Sequence, residues 1–100
     1  MRDNKNLNEI GDRIELFTKL EEIKVRACNV KKISPKIANL QSLIILKVDN
    51  NKIEELPSEI TTLINLRELD FSKNAIKKMP ENIEALTHLR KLQMNSNQLE

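Results

Sequence analysis

The cysteine and histidine residues that could act as a nucleophile and its base in this 100-residue chain are few and far apart. The chain contains one cysteine, Cys28, and one histidine, His88. A cysteine nucleophile requires a nearby base that keeps it ionised, and no histidine is close to Cys28 in the sequence. We therefore interpret Cys28 as a structural residue and His88 as a solvent-exposed one.

Three carboxylates offer a second kind of chemistry if the fold brings them together. Asp49, Glu68 and Asp70 have the residue types of a paired-acid or metal site. The same stretch also contains basic residues, which are Lys47, Arg67 and Lys73. A surface of mixed, mutually neutralising charge is the simpler interpretation. The single glycine also excludes a glycine-rich phosphate loop, so we predict a protein that is not an enzyme and has no metal and no cofactor.

Composition limits the class of partner and the cellular compartment that we expect for this chain. Seventeen basic and fifteen acidic residues give a net charge of +2 and are interspersed, so there is no basic stripe of the kind that binds nucleic acid. No apolar run approaches the length of a membrane span, and the first residues do not resemble a secretory signal. A lone cysteine is not the pattern of a small extracellular domain. The sequence predicts a cytoplasmic protein with no nucleic-acid and no membrane partner.

Apolar residues recur with a 23-residue period along almost the whole chain. The period is set by Leu20, Leu43, Leu66 and Leu89. Three and five residues after each of these leucines come two further apolar columns, namely Ile23, Leu46, Leu69 and Leu92, and then Val25, Val48, Phe71 and Met94. The alternation of apolar and variable residues indicates one short β-strand in each repeat.

The rest of each repeat predicts a turn followed by a return segment. The turn column, which we call the asparagine ladder, contains Cys28, Asn51, Asn74 and Asn97. A buried asparagine amide can hydrogen-bond turn backbone groups that no strand pairs with, whereas a cysteine does so only weakly. Apolar residues continue through the return segment, where Pro57 and Pro80 favour backbone outside the sheet.

Two consecutive repeats carry a motif that resembles a known family. The blocks LIILKVDNNKIEELPSEITTLIN (43–65) and LRELDFSKNAIKKMPENIEALTH (66–88) are similar to leucine-rich repeats. Within that family they resemble the 23-residue LxxLxLxxNxIxxLPxxIxxLxx subtype of intracellular Ras-group and related bacterial proteins. The resemblance covers nearly the whole chain. The departures are Cys28 and Lys5 in the asparagine column, Gly11 and Ser34 in the proline column, and a final repeat cut off at Glu100.

The resemblance implies an α/β fold, a leucine-rich-repeat solenoid whose chain coils with a right hand. Its parallel strands would form a concave sheet, and short helical or extended segments would cover the convex side. Each repeat alone has too few apolar residues for a core, so stability must come from stacking repeats on their neighbours.

The columns also divide the chain. We expect a single leucine-rich-repeat domain over 1–100. Its full repeats are 20–42, 43–65 and 66–88, followed by a truncated repeat at 89–100. Residues 1–19 fit either a partial repeat or a capping helix, because both spacings are satisfied by Leu7, Ile10, Ile14 and Phe17.

Alternate residues of a strand face opposite ways, so the residues between the buried columns must line the open, concave face of the sheet. In repeat order these are Glu22, Lys24 and Arg26; Ile45, Lys47 and Asp49; Glu68, Asp70 and Ser72; and Lys91, Gln93 and Asn95. Ile45 is the predicted anchor for a partner, because exposed apolar residues rimmed by charge are common contact points.

Charges that share a column on this face indicate what kind of partner it fits. Arg26 is placed to pair with Asp49. In the same way, Lys47 is placed to pair with Asp70. Lys24 and Lys47 repel each other unless something acidic lies across them. We therefore expect a protein or peptide partner of mixed or acidic charge.

Taken together, these features predict a non-catalytic protein–protein interaction module that binds on its concave sheet face. Two alternatives stay open. The Ras-group resemblance implies that the chain could be a regulatory or targeting fragment of a larger signalling protein. It could also be a structural repeat segment that self-associates, because the last strand, near Leu92 and Met94, would have an unpaired edge.

Overall fold

The structure is a computed structural model that describes residues 9–10 and 19–98. These residues form six short strands, which are β1 (Glu9–Ile10), β2 (Glu22–Lys24), β3 (Lys32–Ile33), β4 (Ile45–Lys47), β5 (Glu68–Asp70) and β6 (Lys91–Gln93). They also form three 3₁₀ helices, which are Pro35–Asn39, Ser58–Thr62 and Ile83–Ala85. Each stretch of about 23 residues therefore contributes a strand and then a short return segment.

Four of the strands form one parallel sheet in the order β2, β4, β5, β6. The register aligns Ile23 with Leu46, Leu46 with Leu69, and Leu69 with Leu92. Each partner is 23 residues from the next, so the sheet register is the alignment that the sequence repeat predicts. A parallel sheet needs a crossover between strands, and here the return segment provides it.

Strand pairing continues past the three residues assigned to each strand. The amide of Val25 donates to the carbonyl of Lys47 at 2.9 Å, and the amide of Val48 donates to Asp70 at 2.8 Å. Two residues further on, the Asn50 amide donates to the Ser72 carbonyl at 2.9 Å. The sheet therefore holds five or so residues of each repeat in register, including the start of the turn.

The core lies between this sheet and the return segments. The middle residues of β2, β4 and β5 are fully buried, and their neighbours on either side are exposed or half-buried. The return segments contribute buried residues of their own, among them Ile37, Ile60 and Leu63. In the last strand the equivalent residue, Leu92, is only partly buried, because no described strand lies beyond β6.

Two of the three return segments begin with residues that favour the start of a helix. Ser34 precedes the first 3₁₀ helix in an extended conformation, and its hydroxyl accepts a hydrogen bond from the Lys36 amide at 3.2 Å. Pro57 precedes the second with φ −66° and ψ 142°. Proline and a hydroxyl N-cap both favour a helix start, which turns the chain out of the sheet and lets Ile37 and Ile60 point into the core.

A second, two-stranded parallel sheet joins β1 to β3, with Glu9 aligned to Lys32 and Ile10 to Ile33. These pairs are again 23 residues apart. Apart from β1 and Lys19, the segment 1–19 lies outside the described residues, and so does the choice there between a partial repeat and a capping helix. The division of 1–100 into one domain stays a prediction.

Two isoleucines of one repeat provide a test of this packing. Ile60 has no exposed surface, whereas the side chain of Ile64 is 52% exposed. We expect Ile60→Ala to lower the free energy of unfolding by about 2–5 kcal/mol, since it leaves a cavity in the core. Ile64→Ala should change it by no more than about 0.5 kcal/mol. Urea denaturation followed by circular dichroism measures both, and equal effects would contradict the packing described here.

Candidate binding face

The open face of the four-stranded sheet carries the side chains that the solenoid does not bury. Residues on either side of the middle position are exposed in β2 and β6, and half-buried in β4 and β5. In the two inner strands these residues are Ile45, Lys47, Glu68 and Asp70. These four residues are less exposed because β4 and β5 each have a neighbouring strand on both sides.

The next residue of this face in each repeat follows the strand, where the chain begins its turn. Arg26 is exposed, and its Nε lies 3.0 Å from Oδ2 of Asp49, which is the cross-strand pair that the sequence predicts. Asn95 is exposed as well. Ser72 differs, because it is only 9% exposed and its hydroxyl donates to Oδ1 of Asp70 at 2.6 Å. It offers a partner little surface.

The lysines of this face find partners other than those expected. Lys47 Nζ lies 3.6 Å from Oε2 of Glu68, and not with Asp70 as its column predicts. The short Asp70 carboxylate is turned to Ser72, whose amide and hydroxyl both donate to Oδ1. Lys24 Nζ lies 3.2 Å from Oε1 of Glu22 on its own strand. Each lysine of the Lys24–Lys47 column therefore has a carboxylate beside it.

The three carboxylates that could have formed an acid pair or a metal site each engage a different group. Asp49 contacts Arg26, Glu68 contacts Lys47, and Asp70 accepts from Ser72. Within residues 9–10 and 19–98, no group of three or more histidine, cysteine, aspartate or glutamate side chains is placed to hold a metal ion. The arrangement is that of a surface of mixed charge.

Ile45 is the one apolar residue among the twelve predicted face residues. It is half-buried, and the sheet register sets it between Glu22 and Glu68. Ile64 is a more exposed apolar residue that the sequence analysis missed. It precedes the strand by a few residues and aligns with Gln41 and Thr87 in the neighbouring repeats. An apolar residue in a column that is otherwise polar is the sequence signal that could have revealed it.

Below the open face, the asparagine ladder closes the turn of each repeat. Asn51 is 8% exposed, and its side chain uses every donor and acceptor it has. Its Oδ1 accepts from the amides of Cys28 (2.9 Å) and Val30 (3.1 Å). Its Nδ2 donates to the carbonyls of Val25 (2.7 Å), Val48 (2.8 Å) and Asp49 (3.0 Å). Three of these five partners belong to the preceding repeat.

Asn74 and Asn97 repeat this pattern one and two repeats later. Nδ2 of Asn74 donates to the Val48 carbonyl at 3.0 Å, and its Oδ1 accepts from the Ile53 amide at 3.0 Å. Asn97 makes the equivalent bonds to Phe71 and Ile76. Cys28, at the ladder position of its own repeat, is buried, and its Sγ donates to the Arg26 carbonyl at 3.1 Å. A thiol therefore replaces the amide with one weak bond.

The turn also requires an unusual backbone conformation beside each ladder residue. The residue immediately before it has a positive φ in all four repeats: Ala27 (56°), Asn50 (58°), Lys73 (57°) and Ser96 (62°). Only asparagine among these residues enters the left-handed region readily, and for other residues the conformation costs about 1–2 kcal/mol. The ladder bonds hold the chain in this turn.

A smaller ladder lies on the exposed side of the repeats, before each strand. Asn65 Nδ2 donates to the carbonyl of Gln41 at 2.9 Å. One repeat later, Nδ1 of His88 lies 3.2 Å from the carbonyl oxygen of Ile64, a hydrogen bond in the tautomer that carries its proton on Nδ1. His88 is exposed, as the sequence predicts, and it additionally links two repeats.

Stacked strands in 23-residue register, short return helices and a ladder of buried amides define a solenoid repeat protein. A protein-family model described as a leucine-rich repeat region matches residues 2–99. The chain belongs to the leucine-rich repeat family, whose members in general are protein-interaction modules. Its fold as a leucine-rich-repeat solenoid is thereby confirmed.

Two solved structures are similar to this chain. One is an internalin from Listeria monocytogenes, with 28% identity and a TM-score of 0.74 over 86% of this chain. The other is a leucine-rich-repeat protein from Leptospira interrogans, with 22% identity and a TM-score of 0.69 over 96% of this chain. This chain spans only 24% and 30% of their respective lengths. No curated protein sequence gives a significant match.

The structure also bears on membrane crossing. Among residues 9–10 and 19–98 there is no helix with the length and apolar character that a bilayer span requires.

A pair of asparagines tests the ladder. We expect Asn51→Ala to lower the free energy of unfolding by about 1–3 kcal/mol, because it leaves buried turn amides and carbonyls without partners. Asn74→Ala should cost a similar amount. The control is Asn65→Ala, which removes one exposed hydrogen bond and should cost no more than about 0.5 kcal/mol. A thermal melt of Asn51→Ala that matched the control would contradict the ladder.

Proposed function

We propose that this chain is a non-catalytic interaction module that binds a protein or peptide on the open face of its four-stranded sheet. The observation that carries the proposal is the position of Ile45. It is an apolar side chain, half-exposed on an inner strand and flanked in register by Glu22 and Glu68. An apolar group rimmed by charge near the centre of a sheet is the arrangement that interface anchors take.

The charges around Ile45 favour a partner of mixed charge. Lys47 is close to Glu68, and Lys24 is close to Glu22, so each lysine already has an acidic neighbour. A purely acidic partner would have to displace these carboxylates. A partner that carries both positive and negative charges can contact each ion pair without breaking it. Charge complementarity of this kind selects partners without a large gain in affinity.

We place the protein in the cytoplasm as part of this proposal. Its support is Cys28, which is buried, outside any disulfide and used as a hydrogen-bond donor in the turn. A reducing compartment keeps such a thiol free.

Two other roles have support of their own. The chain spans 24% and 30% of the two similar structures, which is in keeping with a regulatory or targeting segment of a larger signalling protein. Self-association is the second, since β6 pairs only with β5 among the described strands and such edges recruit other strands. Light scattering over a range of concentrations tests it, and a constant monomer mass would exclude it.

The binding proposal is tested by the double variant Ile45→Asp with Lys47→Glu. Partners are first recovered by affinity capture and identified by mass spectrometry, and their affinities are then measured by calorimetry. We expect the double variant to weaken binding by about thirtyfold, since the loss of an interface anchor costs about 2 kcal/mol or more.

The matched control is Ile64→Asp with Lys52→Glu, which makes the same changes of residue type on exposed positions away from the open face. It should keep the affinity of the natural protein. Circular dichroism must show both variants folded. Equal affinity of the folded Ile45 variant and the control would remove the open face as the binding site.

A further inference from the structure

A second surface of the solenoid has the features of a peptide groove. It lies on the side of the repeats where the return segments begin, and it encloses about 790 Å³ across three repeats. Its apolar lining includes Leu56, Pro57, Met79 and Pro80. Leu56 is almost fully buried, while Pro57, Met79 and Pro80 are half-buried, so the apolar floor is accessible from solvent.

The rim of this groove alternates in charge from repeat to repeat. The first repeat places Lys31 and Lys32 there, and the second places Glu54 and Glu55. In the third repeat the same two columns hold Lys77 and Lys78, of which Lys78 lines the groove. The order along this one rim is therefore basic, acidic, basic. On the opposite rim, Glu59 adds a third carboxylate beside the acidic middle repeat, and Glu81 adds one beside the third repeat.

These rim charges are not paired with one another. The open sheet face forms ion pairs within itself, such as Arg26 with Asp49 at 3.0 Å. In the part of the chain that the structure describes, none of the six rim residues takes part in an ion pair within 4.0 Å, although opposite charges occupy successive repeats. All six are exposed. Their charges are available to a ligand.

We propose that this groove binds an extended peptide segment whose charges run acidic, basic, acidic. Its central basic side chain lies over Glu54 and Glu55, and its acidic side chains face the lysine pairs of the flanking repeats. Small apolar residues between the charges, proline above all, contact the floor at Leu56 and Met79. This site is separate from the open sheet face and does not depend on the function proposed for that face.

The spacing of an extended peptide is compatible with this arrangement. Successive repeats are about 4.8 Å apart, and alternate residues of an extended chain are about 6.5 Å apart. Long arginine and glutamate side chains adjust to this difference of less than about 2 Å. Proline between the charged residues keeps the peptide extended before it binds, which lowers the entropy lost on association.

Two synthetic peptides of identical composition test the proposal. One is acetyl-Glu-Pro-Arg-Pro-Glu-amide, and the other, acetyl-Glu-Pro-Glu-Pro-Arg-amide, has a different charge order. We expect the first to bind about fivefold or more tightly, because exposed ion pairs add modestly and mismatched like charges oppose binding. Affinity is measured by titration, and the ε-methyl resonance of Met79 should shift in the same titration.

A second variant changes the charge order of the rim to basic, basic, acidic and conserves net charge. It combines Glu54→Lys and Glu55→Lys with Lys77→Glu and Lys78→Glu, and it should shift the preference towards the second peptide. Its control, Arg67→Glu with Glu84→Arg, exchanges exposed charges outside the groove and should leave the preference unchanged. Two results would overturn the proposal: no difference between the two peptides, or shifts at Ile45 with none at Met79.

Discussion

The hydrogen bonds of the ladder asparagines are the interaction on which the rest of the structure depends. Each strand of the main sheet is only three residues long, and after it the chain must turn while still beneath the surface. A buried turn without partners for its amides and carbonyls would be too costly to form. Asn51 supplies five bonds to that turn, so the strand can end early and the return segment can cross to the next repeat.

The short repeat that results creates two surfaces with different electrostatic character. On the open sheet face, neighbouring columns bring opposite charges together, as for Arg26 and Asp49. On the groove side, Glu54 and Lys77 are exposed and outside any described ion pair. Among the described residues, the same periodic backbone therefore presents one face on which several charges form ion pairs and one on which the rim charges do not.

The sequence predicted the fold in detail because stacking leaves little freedom. A one-residue slip would expose the buried residues of a whole strand, so the column of Leu46 and Leu69 determines the register. Side-chain choices on the surface were harder to predict. Glu68 contacts Lys47 while Asp70 contacts Ser72, and such rotamer choices leave no periodic trace. The positive φ at Ala27 and Lys73 was equally hidden, because neither residue type signals a left-handed turn. Which residues contact a partner stays a prediction.

The ladder also gives the array a direction. Asn74 closes the turn that contains Val48 and Ile53 in the repeat before its own, and Asn97 closes the turn at Phe71 and Ile76. The turn of each of these repeats is therefore held by hydrogen bonds from the asparagine of the repeat that follows it. We therefore expect the loss of one ladder side chain to loosen the turn of the N-terminal neighbour in addition to its own turn. Local opening of such an array should travel towards the N-terminus, so that residues sensitive to a lesion lie one period upstream of it as well as at the lesion itself.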